Sequence, residues 1–237
     1  MRRIGSIILL FIVVLNTFGQ SSEEQSKPNL VLNLDVLSSH LWRGFKNGNS
    51  YSIQPTVSFN YKGLSTGAWA AIAGNDSYFE VDLFTEYSYH NVTLSLYDYY
   101  CPPSTQMNSF GEFRKHHTKH TLDAMLSWTP DSIPFKIMVS TLILGDDLSK
   151  TSRKQSYSTY IEPAYVWYWK RFSGDLFVGF TPFEGYYASK PSVVNVGATF
   201  CYNLRIQNFE LPLQAKVSHN PILESTWIML GVSLSIN

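Results

Sequence analysis

The chain has 237 residues, with 18 basic and 18 acidic side chains, so it is neutral overall; only 15% of its residues are charged and another 15% are aromatic. Average domains carry about 25% charged residues, so this surface is short of charge, and the concentrated basic face that nucleic acid requires is missing. Polar residues break every later apolar run well before the roughly 20 residues of a spanning helix, which leaves strands as the only route across a membrane.

The first twenty residues, MRRIGSIILLFIVVLNTFGQ, place Arg2 and Arg3 before an apolar run over 7–15, with the small residues Thr17 and Gly19 three and one before Gln20. This is the layout of a secretory signal peptide. The expected division is a cleaved signal peptide over 1–19, a polar lead-in over 20–29, and one β-barrel over 30–237. Loss of Arg2 and Arg3 leaves the exported chain with a net charge near −2.

Twelve strand candidates follow, at 30–45, 51–61, 64–73, 77–89, 92–100, 120–128, 133–144, 156–170, 172–180, 192–204, 211–218 and 226–237. In YSIQPTVSFNY, Tyr51 to Tyr61, apolar residues and Pro55 occupy the odd positions and Ser, Gln, Thr and Asn the even ones. A strand sends these to opposite faces, which suits a sandwich or a membrane barrel. The connections separate the two. Those after even-numbered strands are short (Lys62-Gly63, His90-Asn91, 129–132, Arg171, 205–210), whereas 101–119 and 145–155 are long. Short turns at one end and long loops at the other, with an even strand count, mark an outer-membrane barrel.

The outward apolar sets are Ile53, Pro55, Val57 and Phe59; Phe79, Val81, Leu83, Tyr87 and Tyr89; Leu176, Val178 and Phe180; and Ile228, Leu230, Val232, Leu234 and Ile236. Trp42, Tyr51, Tyr61, Tyr89, Trp128, Trp167 and Trp169 are candidates for an interfacial aromatic girdle. Pro55 and Pro163 lie inside strands and cannot donate to the ladder, which predicts bulges or local breaks. Cys101 and Cys201 fall at opposite ends of different strands, so no mutual disulfide is expected.

The stretches DVLSSHLWRGF (Asp35 to Phe45), SIQPTVSFNYKGLSTGAWAA (Ser52 to Ala71), YFEVDLFTEYSY (Tyr78 to Tyr89) and LYDYYCP (Leu96 to Pro102) share an aromatic-Arg-Gly step, an Ile-Gln, a Gly-x-Trp and a Glu-x-Asp-Leu. In these the chain resembles the TorF-type porins of Gram-negative bacteria over about 35–102, and beyond that by strand pattern alone. The resemblance implies an outer-membrane β-barrel. It carries over no substrate site, because the family has no established solute.

Charges on the alternate parity are expected to face inward: Asp35, Arg43, Glu80, Asp82, Glu86, Asp123, Lys136, Glu162, Asp175 and Lys216. They predict a net acidic pore favouring cations or small polar solutes. The competing reading pairs Arg43 with carboxylates such as Glu80 and Asp82 and closes the lumen as a plug, leaving a structural or binding protein that works through its outer loops. The segment RKHHTKH supplies outer-loop candidates Arg114, Lys115, His116, His117, Lys119 and His120 for an anionic solute, lipopolysaccharide phosphate or, through His116, His117 and His120, a metal; the alternative is a plain solvated loop, the usual state of such a patch. Outer-membrane phospholipases use a Ser, His and Asn cluster on the barrel wall, but here His40 precedes Leu41 and Ser218-His219-Asn220 enters a loop, so no catalytic residue is assigned. The expectation is a non-enzymatic porin of the bacterial outer membrane, in contact with lipid and lipopolysaccharide, without cofactor, metal or nucleic acid.

Overall fold

The computed structural model describes residues 27–103, 109–207 and 209–236; the predicted signal peptide and most of the lead-in lie outside them. Twelve antiparallel strands close into one barrel: β1 (Asn29–Leu37), β4 (Ser52–Tyr61), β5 (Leu64–Ala73), β6 (Phe79–Tyr89), β7 (Val92–Tyr100), β8 (His120–Trp128), β9 (Phe135–Gly145), β10 (Thr159–Trp169), β11 (Phe172–Thr181), β12 (Ser192–Ile206), β13 (Phe209–Asn220) and β14 (Ser225–Ile236). Each strand pairs with its sequence neighbour, and β1 closes the ring against β14 with Leu32 opposite Ile236 and Leu37 opposite Gly231. The remaining strands, β2 (His40–Trp42) and β3 (Phe45–Asn47), form a separate hairpin.

The alternation places the predicted apolar sets outside. Ile53, Val57, Phe59, Leu83, Leu176, Val178, Ile228, Leu230, Leu234 and Ile236 are all exposed, while their neighbours Ser52, Gln54, Glu80 and Asp82 are buried inside. A water-soluble barrel would reverse this, because exposed contiguous apolar surface beyond a few hundred Å² is rare on soluble monomers. The termini of the barrel share one end with the short turns at 62–63, 90–91 and 170–171. At that end Tyr61, Trp128 and Trp169 close their strands on the outer face and are exposed.

Two expectations change. The first strand does not run from 30 to 45. It stops at Leu37, and the chain leaves the wall to build the β2–β3 hairpin. Arg43 and Gly44 both have positive φ, 46° and 83°, the pairing needed for a tight two-residue turn that matches strand twist. Trp42 therefore is no girdle residue; its ring meets those of Tyr99, Tyr186 and Tyr187.

The prolines break the ladder without shifting it. Pairing of β4 with β5 skips from Ile53–Ile72 to Thr56–Trp69 in constant register, and β10 with β11 skips from Ile161–Phe180 to Ala164–Phe177 in the same way. The bulges fall elsewhere, at Leu122/Asp123 against β9 and at Gly179/Phe180 against β12. A bulge re-aims side chains, and both sit beside the hairpin: Asp123 meets Arg43, and the extra β12 residue, Val194, offers the carbonyl against which Gly44 packs.

Candidate functional site

The hairpin lies across the lumen, and its tip is held by a buried ion pair. Arg43 Nη2 donates to Asp123 Oδ2 at 2.8 Å, and Nη1 donates to the Tyr187 hydroxyl at 2.6 Å. Asp123, fully buried, also accepts from Tyr99 at 3.0 Å and from Ser140 at 2.6 Å. The guanidinium stacks within 4.8 Å of the Trp42 ring centre and 5.2 Å of Tyr160, contacts worth about 0.5–2 kcal/mol each. Buried ion pairs persist only where hydrogen bonds complete both partners, and here they do. The carboxylate that Arg43 meets differs from those expected of it: it pairs with Asp123, and neither Glu80 nor Asp82 takes part.

Further contacts lock the turn. Asn220, also fully buried, donates to the Gly44 carbonyl at 3.0 Å. A Cβ at Gly44 would lie 2.0 Å from the Val194 carbonyl oxygen. The loop between β11 and β12 folds in as well, and Tyr187 with Tyr160 and Val194 forms a core against which Trp42 and Phe45 pack.

The hairpin divides the lumen. On one side is a chamber of about 560 Å³ whose wall carries Glu80, Asp82, Glu86 and Glu162, with Lys216 opposite and the rings of Trp42, Trp69, Phe84, Tyr97 and Tyr99. On the other, toward the long loops, a cavity of about 130 Å³ is bounded by Asn47, Tyr78, Cys101, Lys119 and Asp146. Trp42, Glu80 and Tyr99 border both. Glu80 accepts from Tyr78 at 2.6 Å and from the Cys101 thiol at 3.1 Å. Gln54 holds His40 Nδ1 at 2.9 Å, which leaves Nε2 facing Glu80 at 3.6 Å. Glu86 accepts from Tyr97 at 2.9 Å and Ser95 at 3.2 Å; Glu162 accepts from Tyr160, and from Asn195 at 3.2 Å.

Of the ten predicted inward charges, Glu80, Asp82, Glu86, Glu162 and Lys216 share the chamber, and Arg43 borders it from the hairpin rather than from a wall strand. Asp123 is sealed behind Arg43. Asp35 accepts from Ser233 across the β1–β14 seam. Asp175, half-buried on β11, and Lys136, exposed at the short-turn end of β9, keep the inward parity but stand outside the chamber lining. Both cysteines are free thiols.

One acid breaks the parity that the sequence pattern implied. Asp98 pairs across the sheet with Leu83 and Leu122 and so faces outward. His120 Nδ1 lies 2.9 Å from its carboxylate and Nε2 lies 2.7 Å from the Phe110 carbonyl, with the Phe113 ring stacked at 4.5 Å. The long loop thus folds over the outer wall, and His120 is buried beneath it instead of standing on the loop surface. Arg114 is drawn onto Glu112, whose carboxyl its hydrogen bonds pull down to about 2. Lys119 reaches Asp146 at 3.0 Å. Lys115, His116 and His117 remain exposed.

Ser218, His219 and Asn220 point three ways: Ser218 to Asn195 in the lumen, His219 to Thr226 outside, and Asn220 to Gly44. The functional residues that the sequence did not reveal are His40, Trp69, Tyr97, Tyr99, Tyr187 and Asn195. Tyr97 and Tyr99 share the parity of Asp123 across the β7–β8 pair, a signal that the pairing alone could have supplied.

No family model matches the chain, and no curated protein matches it. Among solved structures, a chain from a study titled "Unveiling the Mechanism Behind the in-meso Crystallization of Membrane Proteins" is similar with a TM-score of 0.48 and 10% identity, covering 87% of this chain and 83% of that one. At that similarity it says nothing about what this chain does. The class that stands is an all-β closed antiparallel barrel of twelve strands with an in-folded hairpin.

Proposed function

We propose that the chain is a bacterial outer-membrane porin that passes ions or small polar solutes, with a preference for cations set at the hairpin. The reading is carried by one observation: Glu80, on the barrel wall, borders both lumen compartments, and three further carboxylates line the larger of them. The exposed apolar outer face and the aromatic strand ends support a membrane setting. Arg43 is already spoken for by Asp123, so Lys216 is the lysine left in the chamber against four acids. A narrow low-dielectric passage with that wall concentrates cations.

The test is single-channel current of the refolded barrel in a planar bilayer, with the reversal potential under a salt gradient. Cation-selective steps are expected, and the paired substitutions Glu80→Gln and Asp82→Asn should move the reversal potential toward zero. Unchanged selectivity would remove both residues from the path. A second reading, a non-conducting barrel working through its outer loops, is favoured by the Arg43–Asp123 latch itself. A folded, heat-modifiable barrel that never conducts would establish that reading in place of the first.

A further inference from the structure

Resting on the membrane-barrel reading above, we propose that the inner chamber is a binding site for a linear organic cation carrying two or more amino groups, a di- or polyamine. Asp82 is buried, and its Oδ1 has no hydrogen-bond partner although it sits in the chamber wall. A buried carboxylate oxygen without a donor is costly, and an ammonium group entering the chamber would supply the donor that Oδ1 lacks. The hydrogen bonds of Glu80 and Glu86 come from neutral hydroxyls and a thiol, which orient a carboxylate without cancelling its charge. Of the cations near the chamber, Arg43 belongs to Asp123, Lys216 Nζ lies over the Phe177 ring at 5.0 Å, and His40 Nε2, 3.6 Å from Glu80, faces that carboxylate alone, leaving Asp82 and Glu86 without a cationic partner.

The spacing selects the kind of cation. Glu80, Asp82 and Glu86 lie on one face of β6; the Glu80 and Asp82 carboxyls meet, and Glu86, four residues on from Asp82, stands about 13 Å further along the strand. That separation suits a chain whose terminal nitrogens are joined by two short carbon spacers, such as a triamine. Among the described residues no three His, Cys, Asp or Glu side chains converge as a metal ion would require. A cation whose charges are spread along a chain can meet the Glu80–Asp82 pair with one nitrogen and Glu86 with another; a compact ion reaches one or the other. Trp42, Trp69, Phe84 and Tyr97 line the same space, giving faces for cation–π contact and for packing of the methylenes. The volume of about 560 Å³ lies within the roughly 300–1,000 Å³ of small-molecule sites.

The refolded barrel, free of lipopolysaccharide and at a fixed ionic strength of about 150 mM so that loose attraction is screened, would be titrated calorimetrically with spermidine and with propylamine. Spermidine should bind at least tenfold more tightly than propylamine. Asp82→Asn and Glu86→Gln should each weaken spermidine at least tenfold, while Glu112→Gln in the outer loop should leave it unchanged, all three retaining the heat-modifiable gel shift of a folded barrel. Equal affinity for the two amines, or binding indifferent to Asp82→Asn, overturns the proposal. Spermidine binding by a barrel that never conducts would end the porin reading and uphold the site; cation-selective current without spermidine binding would do the reverse.

Discussion

At Arg43 a single side chain makes an ion pair, a hydrogen bond to a phenol and stacking contacts with Trp42 and Tyr160, all out of water. Removing either member of such a pair strands the other, at about 3–5 kcal/mol. Arg43→Met and Asp123→Asn should each lower the urea midpoint of the refolded barrel, and the double variant should lose clearly less than the two singles combined. Additive losses would mean that the two residues stabilise the barrel independently. The sequence placed Arg43 and Asp123 on the lumen side but could not join them. They lie 80 residues apart on different elements, and the bulge that aims Asp123 depends on an inserted Ile143 that pairing geometry, not composition, reveals.

The hairpin shows how an element can hide inside a longer one. DVLSSHLWRGF alternates well enough to read as one continuous strand, yet Ser38 and Ser39 interrupt it: Ser38 leaves the β1 ladder to bond the Leu230 backbone, and the chain turns inward. The cue lay in Arg43-Gly44, a turn dipeptide in the middle of an apparent strand. Gly44 is the point of greatest constraint, with φ of 83° and the β12 backbone against it. Gly44→Ala should displace the hairpin, seen as a several-fold rise in single-channel conductance and a red shift in fluorescence as Trp42 meets water. A variant with unaltered current and spectrum would mean that the hairpin does not set the aperture. The other eleven barrel strands were legible, because period-two alternation between two contrasting environments runs through them apart from the bulges in β9 and β12.

Across the whole molecule four of the six tryptophans fall into two populations. Trp128 and Trp169 end their strands on the outer face and are exposed, whereas Trp42 and Trp69 line the chamber. In lipid vesicles, quenchers fixed near the headgroups should dim the first pair and spare the second; single-tryptophan versions report each directly. Equal quenching of Trp42 and Trp128 would contradict the inside-out arrangement. The loop-length asymmetry read from the sequence holds, since connection lengths follow directly from where the alternating segments start and stop and need no tertiary detail. What stayed illegible was Asp98 with His120, an acid on the outer parity made tolerable by a loop that returns to cover it.

The ring closes between its first strand and its last, along a seam running from Leu32–Ile236 to Leu37–Gly231, while β1 meets β4 over its whole length from Asn29 to Leu37. In a growing chain β1 emerges with one edge that cannot be satisfied until β14 exists. The ring is therefore held open until β14 docks, although the residues that latch the hairpin, Asp123 on β8, Tyr187 before β12 and Asn220 on β13, all precede that strand. A chain shortened before Ser225 would keep two raw edges, at β1 and β13, and find its missing partner in another copy.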